Sequence, residues 1–239
     1  MNRINGHPRM ALTTAALTTI GLLGTMGLVG CSTTDAAPAS AAPPAAVSMV
    51  DMSSQHSTTA MSTQVGLYTA MAHLWAQHME WTNATVVAFA EGSSALTPTL
   101  SRLLQNQTDI GNAIKPFYGD AAGDQLTTLL KEHINDAVPV LTAAKAGDTA
   151  ALNTAVDAWY GNAKAIGDFL AAANPNWKTA DMEEMMHVHI TQTIAYATDA
   201  LGGDYAKEIV DYGTAEQHMQ EMSDMLSAGI IQQFPKQFK

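Results

Sequence analysis

Residues 126–148 read LTTLLKEHINDAVPVLTAAKAGD. Leu126, Leu129, Leu130, His133, Ile134, Val138 and Leu141 recur three or four apart, so one helix face carries them all. Gly147 is the residue type that closes a helix in the left-handed region, and Asp148 is a helix N-cap. One stretch therefore spells a helix, a tight turn and the start of a second helix. His133 is the discordant residue on an otherwise apolar stripe.

The same grammar extends in both directions. Leu67, Met71, Leu74, Trp75, His78, Thr82 and Phe89 form an earlier stripe, and Thr97-Pro98 reads as an N-cap and first-turn proline for Leu100, Leu103, Leu104, Gln107, Ile110 and Ile114. Lys115-Pro116 and Gly119 read as the break. After Asp148 come Leu152, Val156, Trp159, Ile166, Phe169 and Leu170, stopped by Asn174-Pro175. Met182, Met185, Met186, His189, Ile190, Ile194 and Ala197 follow, ending at Gly202-Gly203. Asp204 opens a last stripe of Ile209, Tyr212, Met219, Met222 and Leu226, after which Ile230 to Pro235 are expected to leave the helix and fold back. No segment alternates with the period of a strand.

These helices repeat. Ile110-Gly111, His133-Ile134 and Gly147-Asp148 recur 56 residues later as Ile166-Gly167, His189-Ile190 and Gly203-Asp204. The expected fold is all-α: a six-helix antiparallel bundle built from three tandem helical hairpins, roughly 64–114, 120–171 and 178–230.

The repeat aligns polar residues on apolar stripes. His78, His133 and His189 lie on the first helix of each hairpin, and Asn106, Asn162 and His218 on the second. His133 lies 14 residues before Gly147 and Asn162 lies 15 after it, so in an antiparallel pair both stand about 21 Å from the turn. Two readings follow. Buried imidazoles and amides that satisfy one another fix the register of the helices, with the Thr82 and Thr193 hydroxyls four residues on offering each ring a partner. Alternatively His78, His133, His189 and His218 converge as ligands for zinc or copper. Asp109, Asp136 and Glu221, each three residues after a layer member, could join them. The methionines of the last hairpin (Met182, Met185, Met186, Met219, Met222, Met225) suit Cu(I), and equally suit an irregular core. A ferritin-like di-iron site is disfavoured, because Glu184 to His187 is the one Glu-x-x-His pair and His187 falls off the His189 stripe. No phosphate loop or nucleophile motif is present.

The N-terminus carries a different message. Residues 1–10 hold Arg3 and Arg9 and no acid, residues 11–30 are apolar and uncharged, and Leu28-Val29-Gly30-Cys31 closes the run. This pattern resembles bacterial lipoprotein signals. The resemblance implies cleavage after Gly30, a lipid on Cys31 and a cell-envelope location outside the cytoplasm. Residues 31–60 then read as an Ala/Pro/Ser linker, and 61–239 as the folded domain. Met49, Met52, His56 and Met61 at the end of the linker are soft metal donors, more simply read as composition. Cys31 is the one cysteine, so core burial without disulfides must hold the domain together.

The chain has 11 Lys+Arg against 22 Asp+Glu; loss of Arg3 and Arg9 with the leader takes the net charge from −11 to 9 − 22 = −13. Such a surface repels phosphate backbones, which argues against nucleic acid as a partner and leaves membrane contact to the lipid. Leu74-Trp75 with His78 and Trp81, Asn106-Gln107 with Asp109 to Gly111, Leu129 to Ile134, Asn174 to Trp177, and Met225 to Gly229 with Gln233 to Pro235 resemble an uncharacterised family of bacterial exported helical proteins. Glu80 and the lack of an arginine after Thr82 depart from its pattern. The resemblance implies no activity. The expected function is therefore a lipid-anchored, non-enzymatic binding or interaction module, with a Cu/Zn-binding bundle as the alternative and an unidentified enzyme as a further one.

Overall fold

The computed structural model describes residues 63–238. The leader, Cys31 and the 31–60 linker, with Met49, Met52, His56 and Met61, lie outside the described residues. Within them the fold is an all-α bundle of six helices: α1 (Gln64–Glu91), α2 (Leu96–Tyr118), α3 (Asp120–Ala146), α4 (Thr149–Ala173), α5 (Thr179–Gly202) and α6 (Tyr205–Gln233). A 3₁₀ turn, Pro235–Gln237, follows.

The ends are set locally. Thr63 Oγ1 accepts from the Gly66 amide at 2.9 Å, Asp148 Oδ1 from Ala151 at 3.0 Å and Asp204 Oδ1 from Lys207 at 3.2 Å. Gly147 and Gly203 precede the two aspartates at φ 69° and 75°, the region where a Cβ is strained. One device thus makes both tight turns.

Two proline readings need correction. α2 starts at Leu96 with Ala95 as its N-cap residue, so Thr97-Pro98 lie inside the first turn. The helix also runs through Pro116 to Tyr118 and stops at Gly119. Pro116 is exposed, as is Asn112 four residues earlier, so the bond that the proline cannot make falls on a face open to solvent. Pro139 passes through α3 in the same way, opposite exposed Asn135.

Each helix packs on the next, and α6 returns to α1, so the six form a closed ring. α5 also touches α1 and α3 across the interior. The repeated Ile-Gly pairs mark close approaches between neighbours. A Cβ on Gly111 would lie 2.5 Å from the Gly123 carbonyl of α3, and one on Gly167 would lie 3.0 Å from the Glu183 amide of α5. The methionines Met182, Met186, Met219 and Met222 are buried in the common core.

One end is plugged by aromatic side chains. Tyr118 lies 5.9 Å from Trp177 and 5.3 Å from Phe234, while Phe117 stacks on Phe238 at 5.6 Å. The Tyr118 hydroxyl donates to Gln233 and accepts from Asn174, both at 2.9 Å. Residues 230–233 remain in α6, contrary to expectation; the chain turns only at Phe234, and it covers this end instead of its own helix.

Candidate functional site

α1, α3 and α5 bring His78, His133 and His189 together at mid-bundle. His189 is central, with its ring centroid 5.5 Å from His78 and 5.6 Å from His133. All three residues are at most 3 % exposed.

Asn106, Asn162 and His218 occupy a second tier on α2, α4 and α6. Each makes one equivalent bond: Asn106 Nδ2 donates to Leu74 O at 3.0 Å, Asn162 Nδ2 to Leu129 O at 3.1 Å, and His218 Nε2 to Met185 O at 2.9 Å. Leu74, Leu129 and Met185 each stand four residues before the histidine of their own helix. His218 therefore plays the part of the two asparagines, its Nε2 committed to a carbonyl.

The inner histidines are less evenly served. Asn162 spends its Nδ2 on Leu129, so its Oδ1, 2.9 Å from His133 Nδ1, must accept and that ring nitrogen carries the proton. His133 Nε2 is then a bare acceptor, buried without a partner. Gln107 Nε2 lies 3.2 Å from His78 Nδ1 and 2.8 Å from Leu103 O. His189 Nδ1 has no partner. The Thr82 and Thr193 hydroxyls do not reach the rings as expected. They donate to the backbone carbonyls of His78 and His189 at 2.6 and 2.8 Å, because a helical threonine finds the carbonyl four residues back before any side chain.

Burial, with help from its neighbour His133, drives the His78 pKa down to about 3. Burial takes His133 to about 4, opposed by the Asn162 bond. His189 is pushed well below the ordinary value by burial and then by the charges of His78, His133 and His218. Three neutral imidazoles therefore meet at pH 7.

The rings form part of the lining of a cavity of about 170 Å³. The rest of its wall is almost wholly apolar and includes Val86, Phe89, Leu103, Ile134, Leu152, Trp159 and Leu201. These residues run from the histidine layer toward the end that carries the Gly147 and Gly203 turns, away from the aromatic plug.

Searches against known protein families, curated proteins and solved structures find no match to this chain.

The carboxylates considered as partners lie elsewhere. Asp109 pairs with Arg102 at 3.5 Å, and Glu221 accepts from Gln217 at 3.1 Å. The carboxyl of Asp136 is pushed up by partial burial and then by Glu132, not by an imidazole. His187 stacks on Tyr160 at 4.5 Å, away from the layer. Among the described residues no three His, Cys, Asp or Glu side chains are arranged to hold a metal ion. Sequence reasoning passed over two site residues. Gln107 sat on an apolar stripe beside Asn106, and that adjacency was the available signal. Trp159, 5.3 Å from His133, gave no signal, since a tryptophan on a stripe reads as core.

Proposed function

We propose that this protein is a non-enzymatic binding module whose cavity takes a small, largely apolar molecule, held at the cell envelope by a lipid on Cys31. The cavity carries the reading. At about 170 Å³ it compares with apolar cavities of roughly 150 Å³ that bind benzene. Its lining comes from helices that a closed ring holds in place, so the space is preformed. Among the described residues no helix is long and apolar enough to cross a membrane, and in this reading the acyl group does the anchoring. The architecture proposed with it is an antiparallel bundle of three tandem hairpins. It is supported by the short turns and by the three equivalent bonds from Asn106, Asn162 and His218. Benzene titrated into the full chain should raise its melting temperature, and Ala137→Phe, which fills the cavity, should abolish the shift. No shift in the parent chain would refute the reading. Mass spectrometry of the natural product checks the anchor: an intact leader would remove it.

One observation favours a copper- or zinc-binding alternative. Two imidazoles on one tetrahedral ion, each nitrogen at ~2.1 Å, hold their centroids ~5.3 Å apart, close to the 5.5 and 5.6 Å found here. The Asn162 bond to His133 Nδ1 would be the usual outer support for an Nε2 ligand. The rings would have to turn to aim their nitrogens at one point. Near-stoichiometric Cu or Zn retained by the full chain, and lost in His133→Ala and His189→Ala, would establish this reading in place of the first.

A further inference from the structure

The first two turns of α6 present large apolar side chains to water. Among the described residues five large hydrophobic side chains are exposed, and three of them, Tyr205, Ile209 and Val210, stand here, the last two at 67 % and 66 %. Ala206 and Gly213 are exposed three and four residues to either side, so one face of the helix carries them all. Single exposed apolar residues are ordinary, whereas a contiguous group of them marks a contact surface. Gly213 points the same way. Glycine weakens a helix interior, and the bundle has no use for it at this position, since a Cβ there would meet nothing within 4 Å. It leaves room for a partner to approach the α6 backbone.

The surroundings of this face are acidic. The Tyr205 hydroxyl donates to Glu91 Oε1 at 3.4 Å. Burial, then the charges of Glu216, Glu80 and Glu208, push the Tyr212 phenol up to about 12. On the other flank Lys207 is spent on two carboxylates, 2.9 Å from Asp199 and 2.7 Å from Asp211. The surface thus offers apolar contact inside a ring of negative charge.

Charge decides among the possible occupants. A second copy would bring the same acidic rim against this one. Residues 32–62 of the chain's own N-terminal stretch contain no lysine or arginine to meet the rim. An anionic membrane surface is repelled by a chain of net charge −11.

We propose that the Tyr205–Gly213 face of α6 docks an amphipathic helix of another protein, its apolar side seated on Ile209 and Val210 and its flanking lysines or arginines meeting Glu91, Asp199, Asp211 and Glu216. This surface is separate from the cavity and does not depend on it.

The test titrates the purified full chain with a synthetic helix of about 14 residues, leucines on one face and lysines on the other, and with its glutamate counterpart. The lysine peptide should bind and the glutamate peptide should not. Ile209→Asp should weaken the lysine peptide at least about tenfold, the loss of one buried anchor. That variant adds a negative charge, so binding by charge alone would tighten instead. Gly213→Gln should also weaken binding while the melting temperature holds or rises. An unaltered melting temperature in Ile209→Asp shows that the fold is intact. Affinity that either variant leaves unchanged or increases overturns the proposal, as does equal binding of the glutamate peptide. Self-association seen in sedimentation and lost in Ile209→Asp overturns it too, in favour of a second copy.

Discussion

Lowering the pH should unfold this domain earlier than its carboxylates alone would, and the histidine layer sets the size of the effect. An imidazole in the unfolded chain titrates near 6.5. In the fold His78 titrates at about 3, His133 at about 4 and His189 well below the ordinary value. Below pH 6.5 the unfolded chain thus takes up protons that the folded chain refuses. Stability is complete above that pH and drains away as pH falls toward the folded values. Each imidazole contributes a slope of about 1.4 kcal/mol per pH unit. At pH 5 that is about 2 kcal/mol each for His78 and His133, with His189 acting in the same direction, a large share of the whole stability of many domains, about 5–15 kcal/mol. The charges acting on the most central ring, His189, are the other imidazoles, His78, His133 and His218, so no acidic neighbour offsets the loss. Glu208 and Asp136 have carboxyls pushed upward, chiefly by burial, and act in the opposite sense. They do so only as the pH enters the carboxylate range.

Urea unfolding followed by circular dichroism from pH 7.5 to 4.5 measures that slope directly. The chain should lose close to two protons' worth of stability per unit between pH 6 and 5 from His78 and His133, with His189 adding to it, and His133→Gln should lose about one proton's worth less. A slope below one proton, or a slope that His133→Gln leaves unchanged, refutes the claim that these rings are buried and neutral.

Two further substitutions probe the frame around the layer. Asn162→Ala leaves His133 Nδ1 without a partner and removes a second bond to the Leu129 carbonyl, which keeps its own helical donor; urea titration should show a loss of about 1–3 kcal/mol, the cost of one orphaned buried group. Gly229→Ala should destabilise at least as much, because the new methyl would fall on the Trp177 ring with no flexible tip to yield; near-UV circular dichroism of the tryptophans reports the displacement.

How much of this was legible beforehand depended on how local each cause is. Gly147-Asp148 and Gly203-Asp204 were readable because a left-handed glycine and a capping aspartate act within a few residues. The repeat spacing likewise pointed to Ile110-Gly111 and Ile166-Gly167, although only the packed bundle shows why glycine is needed: neighbouring backbones lie against both. Pro116 was misread because a proline's effect depends on which face it occupies, and that face is exposed. Thr82 and Thr193 were misdirected because side chains four apart are also within reach of a carbonyl. The cavity was invisible, since its wall is assembled from five helices and no single stripe contains it.

The two tiers of polar residues differ in a way that bears on purpose. In the outer tier Asn106, Asn162 and His218 each reach a carbonyl four residues before a histidine, three times over, and that fixes the height of one helix against its partner. A layer whose only task was register could stop there. The inner tier does not need to be histidine to preserve those bonds, since the carbonyls belong to the backbone. Yet it holds three imidazoles at the expense of acid stability and leaves His133 Nε2 and His189 Nδ1 unpartnered. Apolar residues of similar volume at positions 78, 133 and 189 would remove both costs. If such a replacement yields a chain more stable at pH 5 with an intact circular dichroism spectrum, the inner tier is not architectural, and what it contributes is to be sought in the cavity it lines.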